Sequence, residues 1–180
     1  NKNLNLLVIG GSLGAASLNQ KLPEAIALID PNLRPHVKHQ CGKKHNQACE
    51  KNYLDNQVTA EVLPFIDDMR AAYEWADLVV CRAGALTIAE LAAVGIASIL
   101  IPYPYAVDNH QFHNACFMQK VNAGRIINED ELNAESLASL LVHFRDNREE
   151  LIGMSVNARK QAKVDATDIL AEGILTGAKQ

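Results

Sequence analysis

The sequence predicts an α/β protein with a doubly wound, Rossmann-like parallel sheet of about six strands. Short apolar runs that suit buried strands alternate with helix-length segments, at spacings that require parallel pairing. The run Leu78–Cys81 leads through a turn of small residues into an alanine-rich helix. The run Asn5–Ile9 leads in the same way into a Gly-rich loop and a helix. Both patterns are typical of the first half of a strand–helix–strand unit.

The elements follow one another in regular order. The predicted strands are Asn5–Ile9, His36–Cys41, Thr59–Leu63, Leu78–Cys81, Ala97–Ile101 and Gly124–Ile127. The first three predicted helices run from the Gly-rich loop to about Ile29, from about Lys43 to Leu54 and from Arg70 to Ala76. A fourth contains Glu90, and a fifth begins at about Asn109. Three more are predicted near 134–145, 147–162 and 165–177. We expect Pro23 to kink the first helix or to mark its effective first turn.

Length and composition restrict the class of protein. The chain has 180 residues, of which 48% are hydrophobic and 21% charged, so it can bury the core of one long domain. Its formal net charge of −4 argues against a nucleic-acid-binding role, which usually needs a basic face. The cysteines lack the spacing of a zinc site, and we expect reduced thiols in a cytosolic protein. They are Cys41, Cys49, Cys81 and Cys116.

One long uncharged segment requires a check for a membrane span. Residues Leu91–Val107 carry no charge, but Gly95, Pro102 and Pro104 interrupt them. We therefore expect a helix end, a turn, a buried strand and a loop rather than a span. The chain begins at Asn1, directly before a strand, so we expect it to be a piece of a longer protein.

The turn after the fourth predicted strand is a candidate phosphate site. A strand, a turn containing Gly84 and a helix start would leave backbone N–H groups and the positive end of a helix dipole directed at one place. Ala85 is small enough to let a phosphate approach, and Glu90 lies about one turn further on, where it could accept hydrogen bonds from a ribose diol. Thr87 and Glu90 also form the pattern of a plain capping box, which is the competing interpretation.

Three other places carry polar groups with two interpretations each. The loop at Gly10–Gly14 matches neither a P-loop nor a full dinucleotide-binding fingerprint. It is either a loop whose backbone and Ser12 hydroxyl contact a ligand or a simple tight turn. Asp67 and Asp68 are an acid–base pair or, more simply, helix caps. His110, at the head of an exposed helix, is a base or a polar contact. Motifs for serine hydrolysis and metal binding, including Asp-x-Asp, are absent from the sequence.

Taken together and in order, four motifs resemble the C-terminal, donor-binding half of the MurG family. That family comprises the bacterial UDP-N-acetylglucosamine transferases that make lipid II. The motifs are GGSLGA with Asn19, Phe65–Met69, Cys81–Glu90 and Pro102–Ala115. The similarity covers nearly the whole chain.

The resemblance implies one half of a two-domain GT-B glycosyltransferase that binds UDP-GlcNAc and needs no cofactor or metal. It implies roles for thirteen residues in binding this substrate. Glu90 would hold the ribose hydroxyls, and the backbone of Ile66 would contact the uracil edge. Phe65 and Met69 would lie beside the base, and His110 and Gln111 would contact the sugar. Arg82 would orient the loop after the fourth strand. The groups expected at the diphosphate are Gly11, Ser12, Gly84, Ala85, Leu86 and Thr87.

The resemblance also implies how the whole protein works. Residues 1–163 would form the UDP-GlcNAc-binding domain, and residues 164–180 a helix packed toward an N-terminal domain. That other domain would supply the lipid I site, the membrane contact and the catalytic base, on the cytoplasmic face of the bacterial inner membrane. This chain alone would then bind donor without catalysis. The alternatives are a stand-alone subunit of a two-chain N-acetylglucosaminyltransferase and a non-enzymatic nucleotide-sugar-binding module.

Overall fold

The structure, a computed structural model, describes residues 3–11 and 15–162. The described strands are β1 Asn5–Ile9, β2 His36–Gln40, β3 Glu61–Leu63, β4 Leu78–Cys81, β5 Ser98–Leu100 and β6 Gly124–Ile126. The described α-helices are α1 Ala16–Ala27, α2 Asn46–Asp55, α3 Met69–Trp75, α4 Ala85–Val94, α5 His110–Lys120, α6 Ala134–Asp146 and α7 Arg148–Arg159. The helix predicted near 165–177 lies outside the described residues.

The strands form one parallel sheet in the order β3-β2-β1-β4-β5-β6. Successive residues of β1 point to opposite faces, as the period of a strand requires. Leu6 and Val8 join the core beneath α1, α2 and α6, whereas Leu7 and Ile9 join the core beneath α3, α4 and α5. The doubly wound sheet predicted from the sequence is therefore confirmed.

Pro23 lies in the middle of α1 and is buried, so the prediction that it marks the first turn is wrong. Proline has no N–H group, and the carbonyl of Asn19, four residues earlier, cannot receive its usual helical hydrogen bond. That carbonyl instead accepts a hydrogen bond from Asn52 Nδ2 of α2, at 3.0 Å. A neighbouring helix thus replaces the bond that proline removes.

The capping-box interpretation of Thr87 and Glu90 is also wrong. Helix α4 begins at Ala85 after the N-cap residue Gly84, so Thr87 is already its third residue. No side-chain cap bond is made at this end. In contrast, the capping role of Asp68 is confirmed, because its carboxylate accepts a hydrogen bond from Ala71 N at 2.9 Å.

The uncharged segment forms the end of α4, a left-handed turn at Gly95, β5 and the following loop, as predicted. No helix in the described ranges is both long and apolar enough to cross a membrane. The four cysteines carry free thiols, which agrees with the expectation of reduced thiols.

Candidate functional site

The sheet order places a crevice between the carboxyl ends of β1 and β4. These strands are neighbours, with Ile9 opposite Cys81. The direction of strand addition reverses at this point. From β1 the chain adds β2 and β3 toward one edge of the sheet, and from β4 it adds β5 and β6 toward the other. In open α/β sheets, ligands bind at such a switch point. The segments singled out from the sequence follow the carboxyl ends of four strands, so the fold collects them along this edge.

The beginning of α4 presents backbone donors to the crevice that have no acceptor among the described residues. The first bond to the helix is donated by Ile88 N to Gly84 O, at 2.9 Å. Three N–H groups come before this bond in the chain, and no carbonyl within the helix can accept from them. They belong to Ala85, Leu86 and Thr87. Ala85 and Leu86 are exposed. This end of the helix carries donors and a positive dipole, which suits a negatively charged ligand.

The loop after β1 borders the same crevice. Gly11 has φ of +77°, a left-handed conformation that favours glycine, and an added Cβ would meet none of the described residues within 4 Å. The preceding amide is fixed by a hydrogen bond from Gly10 N to Gln40 O, at 2.9 Å. Ser12 lies outside the described residues, so its role stays a prediction.

Glu90 lies one turn along α4 and is exposed. Its Oε2 accepts a hydrogen bond from the hydroxyl of Tyr73, at 2.9 Å. Burial, with the bond to Glu90 as a second cause, raises the pKa of Tyr73 far above its ordinary value, so the phenol stays a donor. The local sequence gave no indication of Tyr73, because it lies 17 residues from Glu90.

The segment before α3 presents one apolar side chain and buries the next. Phe65 is 47% exposed, whereas Ile66 is 7% exposed and packs in the core with Ala72 and Tyr73. Met69, the first residue of α3, is half-buried. The packing of Ile66 fixes the backbone at this edge. The contact of this segment with a base stays a prediction.

Arg82 connects several loops around the crevice. Its guanidinium forms an ion pair with Glu129 and donates to the carbonyls of Ile101 and Pro102 at 3.2 and 3.3 Å. It also donates to Ser17 Oγ of α1, at 3.2 Å, and lies 5.3 Å from the ring centroid of Tyr103. These contacts hold the loop after β4 in place. A direct contact between Arg82 and a ligand stays a prediction.

His110 and Gln111 begin α5 at the same edge. Gln111 Oε1 accepts a hydrogen bond from Tyr103 N at 3.0 Å, so its amide nitrogen remains as a donor. His110 Nδ1 lies 2.7 Å from Val107 O; this contact requires the proton on Nδ1 and leaves Nε2 as an acceptor in the neutral ring. Their expected contacts with a sugar stay predictions.

The backbone just before α5 is strained. Asp108 and Asn109 have φ of 49° and 54°, and such positive values cost free energy in residues other than glycine. Asp and Asn tolerate this conformation better than most residues, which is the one sequence signal that could have indicated it. Asn114 Nδ2 then ties α5 to the crevice by donating to Ala83 O, at 3.0 Å.

Cavities occur at both edges of the sheet. A groove of about 560 Å³ opens at the carboxyl edge beside Pro102, Tyr105, Asn109 and Glu129. Another, of about 470 Å³, runs along α4 from Ala85 past Glu90 to Phe117. Grooves of about 570 and 580 Å³ lie near the amino ends of the strands, far from the unused amides. Size alone does not select the site, and the chemistry favours the carboxyl edge.

No group of three or more His, Cys, Asp or Glu side chains that could hold a metal ion occurs within 3–11 and 15–162. The backbone amides and the dipole at the start of α4 supply positive potential that is complementary to an anion. Sheet order, crevice and amide-rich helix start together define a domain with the Rossmann-type fold, in which ligands commonly bind at this edge.

The model of the glycosyltransferase family 28 C-terminal domain matches residues 5–170, and the chain belongs to this family. The fold is that of one half of a GT-B glycosyltransferase. The chain is 47% identical over 173 residues to a UDP-N-acetylglucosamine–N-acetylmuramyl-(pentapeptide) pyrophosphoryl-undecaprenol N-acetylglucosamine transferase of Paraburkholderia xenovorans, covering 94% of this chain and 46% of the relative.

A protein of the same name from Pseudomonas paraeruginosa is 45% identical over 178 residues, covering 99% of this chain and 50% of the relative. The crystal structure of Acinetobacter baumannii MurG superposes with a TM-score of 0.89 at 40% identity, covering 98% of this chain and 50% of that one. The chain thus spans about half the length of the relatives it matches. The resemblance predicted from the sequence motifs is confirmed.

Proposed function

We propose that this chain is the donor-binding half of an enzyme that transfers GlcNAc from UDP-GlcNAc to undecaprenyl-pyrophosphoryl-MurNAc-pentapeptide, converting lipid I to lipid II in peptidoglycan synthesis. The observation that carries the proposal is the open first turn of α4 at the switch point, with Glu90 one turn further along the helix. The names of the relatives, which are transferases of this kind, support the choice of substrates.

In this proposal, the diphosphate of the donor binds the N–H groups of Ala85, Leu86 and Thr87, close to Gly11 and Gly84. These donors and the dipole of α4 would stabilise the negative charge of the leaving group without a cation. Binding of UDP-GlcNAc should therefore persist in excess chelator. Loss of binding in chelator would contradict this part of the proposal.

Glu90 would accept hydrogen bonds from both ribose hydroxyls, and the exposed Phe65 would lie beside the base. Beyond the diphosphate, the amide of Gln111 and the ring of His110 would contact the sugar hydroxyls. The strand order supports this assignment, because β5, which precedes His110 and Gln111, and β3, which precedes the segment of Phe65, lie on opposite sides of β4. This order of contacts follows the order of groups in the donor.

The acceptor, the catalytic base and the membrane contact would belong to the other half of the enzyme. Inversion at the sugar carbon would follow from direct attack by the acceptor hydroxyl on the face opposite the diphosphate. We place the complete enzyme on the cytoplasmic face of the bacterial inner membrane as a peripheral protein, with no nucleic-acid partner. A net charge of −4 gives this half little attraction to an anionic surface.

Titration of UDP-GlcNAc into wild type, Glu90→Ala and Glu74→Ala tests the donor site. Glu74 is an exposed glutamate on α3 that pairs with Arg70, so it is a matched control. Loss of a charge-assisted contact in Glu90→Ala should weaken binding by about 1.5–3 kcal/mol, roughly tenfold to a hundredfold. Glu74→Ala should bind as wild type does.

Restoring the complete enzyme tests the activity. The two-domain protein should transfer GlcNAc to lipid I, and the same protein carrying Glu90→Ala should need far more donor. Transfer by the 180-residue chain alone would indicate a stand-alone subunit. Binding of donor with no transfer by the two-domain protein would indicate a non-enzymatic module.

A further inference from the structure

Tyr73 is the one side chain among the described residues that hydrogen-bonds Glu90. Glu90 is otherwise exposed on α4, where a long flexible side chain samples many rotamers. A hydrogen bond to a fixed partner restricts that sampling before any ligand arrives. Side chains that are ordered in advance lose less entropy on binding, so affinity rises without a new contact to the ligand.

Tyr73 is well suited to be the fixed partner. It is 5% exposed and packs in the core between α3, α4 and the sheet. Its hydroxyl reaches Glu90 Oε2 at 2.9 Å and uses one acceptor position of the carboxylate. A carboxylate has about four such positions, so both oxygens can still accept from a diol.

Tyr73 also connects two parts of the site. Helix α3 starts immediately after the segment of Phe65 and Ile66, and Asp68 caps it. Tyr73 lies on this helix, whereas Glu90 lies on α4. The hydrogen bond therefore links the segment expected at the base to the residue expected at the ribose.

We propose that Tyr73 is a positioning residue, which holds the Glu90 carboxylate in the orientation that accepts the two ribose hydroxyls of a uridine nucleotide. The inference rests on the proposed function, because it requires a ribose at Glu90. It assigns to α3 a part in ribose recognition that acts through Glu90, in addition to its packing role.

The test compares Tyr73→Phe with Tyr53→Phe. Tyr53 is a matched control, because it is 3% exposed and its hydroxyl lies 2.9 Å from His39 Nδ1, on the other face of the sheet. Each variant of the 180-residue chain is titrated with UDP and with 2′,3′-dideoxy-UDP, which lacks both ribose hydroxyls. Circular dichroism and thermal melting establish that each variant is folded.

We expect Tyr73→Phe to raise the Kd for UDP about threefold to tenfold and to leave the Kd for 2′,3′-dideoxy-UDP unchanged. Tyr53→Phe should change neither value. In a Glu90→Ala background, Tyr73→Phe should have no further effect on UDP. If Tyr73→Phe does not fold, Tyr73→Met removes the same hydroxyl with a flexible apolar side chain and is held to the same expectation.

Two different results would overturn the inference. If Tyr73→Phe weakens the binding of both nucleotides equally, Tyr73 acts only through packing. If it weakens the binding of neither, Glu90 does not need to be held in one orientation. Failure of the proposed function is distinguishable from both. In that case, wild type itself would bind UDP no better than 2′,3′-dideoxy-UDP, or would bind neither.

Discussion

Arg82 and Glu129 form an ion pair that joins the loop after β4 to the segment after β6, 47 residues further along the chain. Both side chains are largely covered, at 15% and 26% exposure. The same guanidinium donates to the carbonyls of Ile101 and Pro102 after β5. One side chain thus connects the loops after three neighbouring strands.

Replacing this guanidinium should destabilise the fold. Arg82→Met would leave a covered carboxylate and two carbonyls without their donor, so we expect a loss of about 2 kcal/mol in the free energy of unfolding. Arg70→Met is the control, because Arg70 and its partner Glu74 are exposed and such pairs contribute little. Urea denaturation of both variants provides the measurement. If Arg82→Met and Arg70→Met lower the free energy of unfolding equally, this account of Arg82 is wrong.

Buried His39 should make stability depend on pH. Burial lowers its pKa to about 3, below its ordinary value near 6.5, and its Nε2 has no hydrogen-bond partner among the described residues. Because the unfolded chain binds a proton that the native state does not, the stabilisation is complete above pH 6.5. It is lost progressively as the pH falls from 6.5 toward 3.

Between pH 7 and 5, this proton uptake should remove about 2 kcal/mol of stability. His39→Gln cannot take up this proton and should show a shallower fall. The exposed His36 lies on the same strand, so His36→Gln is the control and should retain the steep fall. Denaturant titrations at several pH values measure the difference. If the stability of His39→Gln falls with decreasing pH as steeply as that of wild type, the prediction is wrong.

Two glycines should respond in opposite directions to alanine. Gly95 ends α4 with φ of +75°, and an added Cβ would lie 2.8 Å from Arg159 Cβ of α7. Gly95→Ala should therefore cost about 2 kcal/mol or more, from backbone strain and overpacking. Gly153 lies within α7, and no described residue comes within 4 Å of the added atom. Gly153→Ala should raise stability by about 0.5–1 kcal/mol, as measured by thermal melting.

Gln111 should contribute to binding of the sugar but not of the nucleotide. Gln111→Glu keeps an oxygen that can accept from Tyr103 N, so the loop is retained, but it removes the amide donor. We expect the Kd for UDP-GlcNAc to rise about tenfold, whereas the Kd for UDP should rise much less and only through repulsion between the new carboxylate and the diphosphate. Calorimetric titration with both ligands decides the point. A similar loss for UDP would show that the substitution disturbs the diphosphate site instead.

Much of the fold follows from patterns that lie close together in the chain. Leu78–Cys81 forms the predicted strand, and the small residues after it lead into a helix whose first amides are unused. The motif resemblance named thirteen candidate site residues, and the described ones belong to segments that follow the carboxyl ends of β1, β3, β4 and β5. Helix starts were less certain, because several residues in a row could cap the same helix. Thr87 illustrates this, since the helix begins two residues before it.

The sequence by itself determined the alternation of strands and helices, because apolar periodicity and turn residues act over a few neighbouring positions. Only the tertiary structure decided which distant groups meet. The hydroxyl of Tyr73 on Glu90, the guanidinium of Arg82 on Glu129 and the amide of Asn52 on the carbonyl freed by Pro23 are examples. Such contacts depend on how whole helices pack across the sheet, and no local pattern records them.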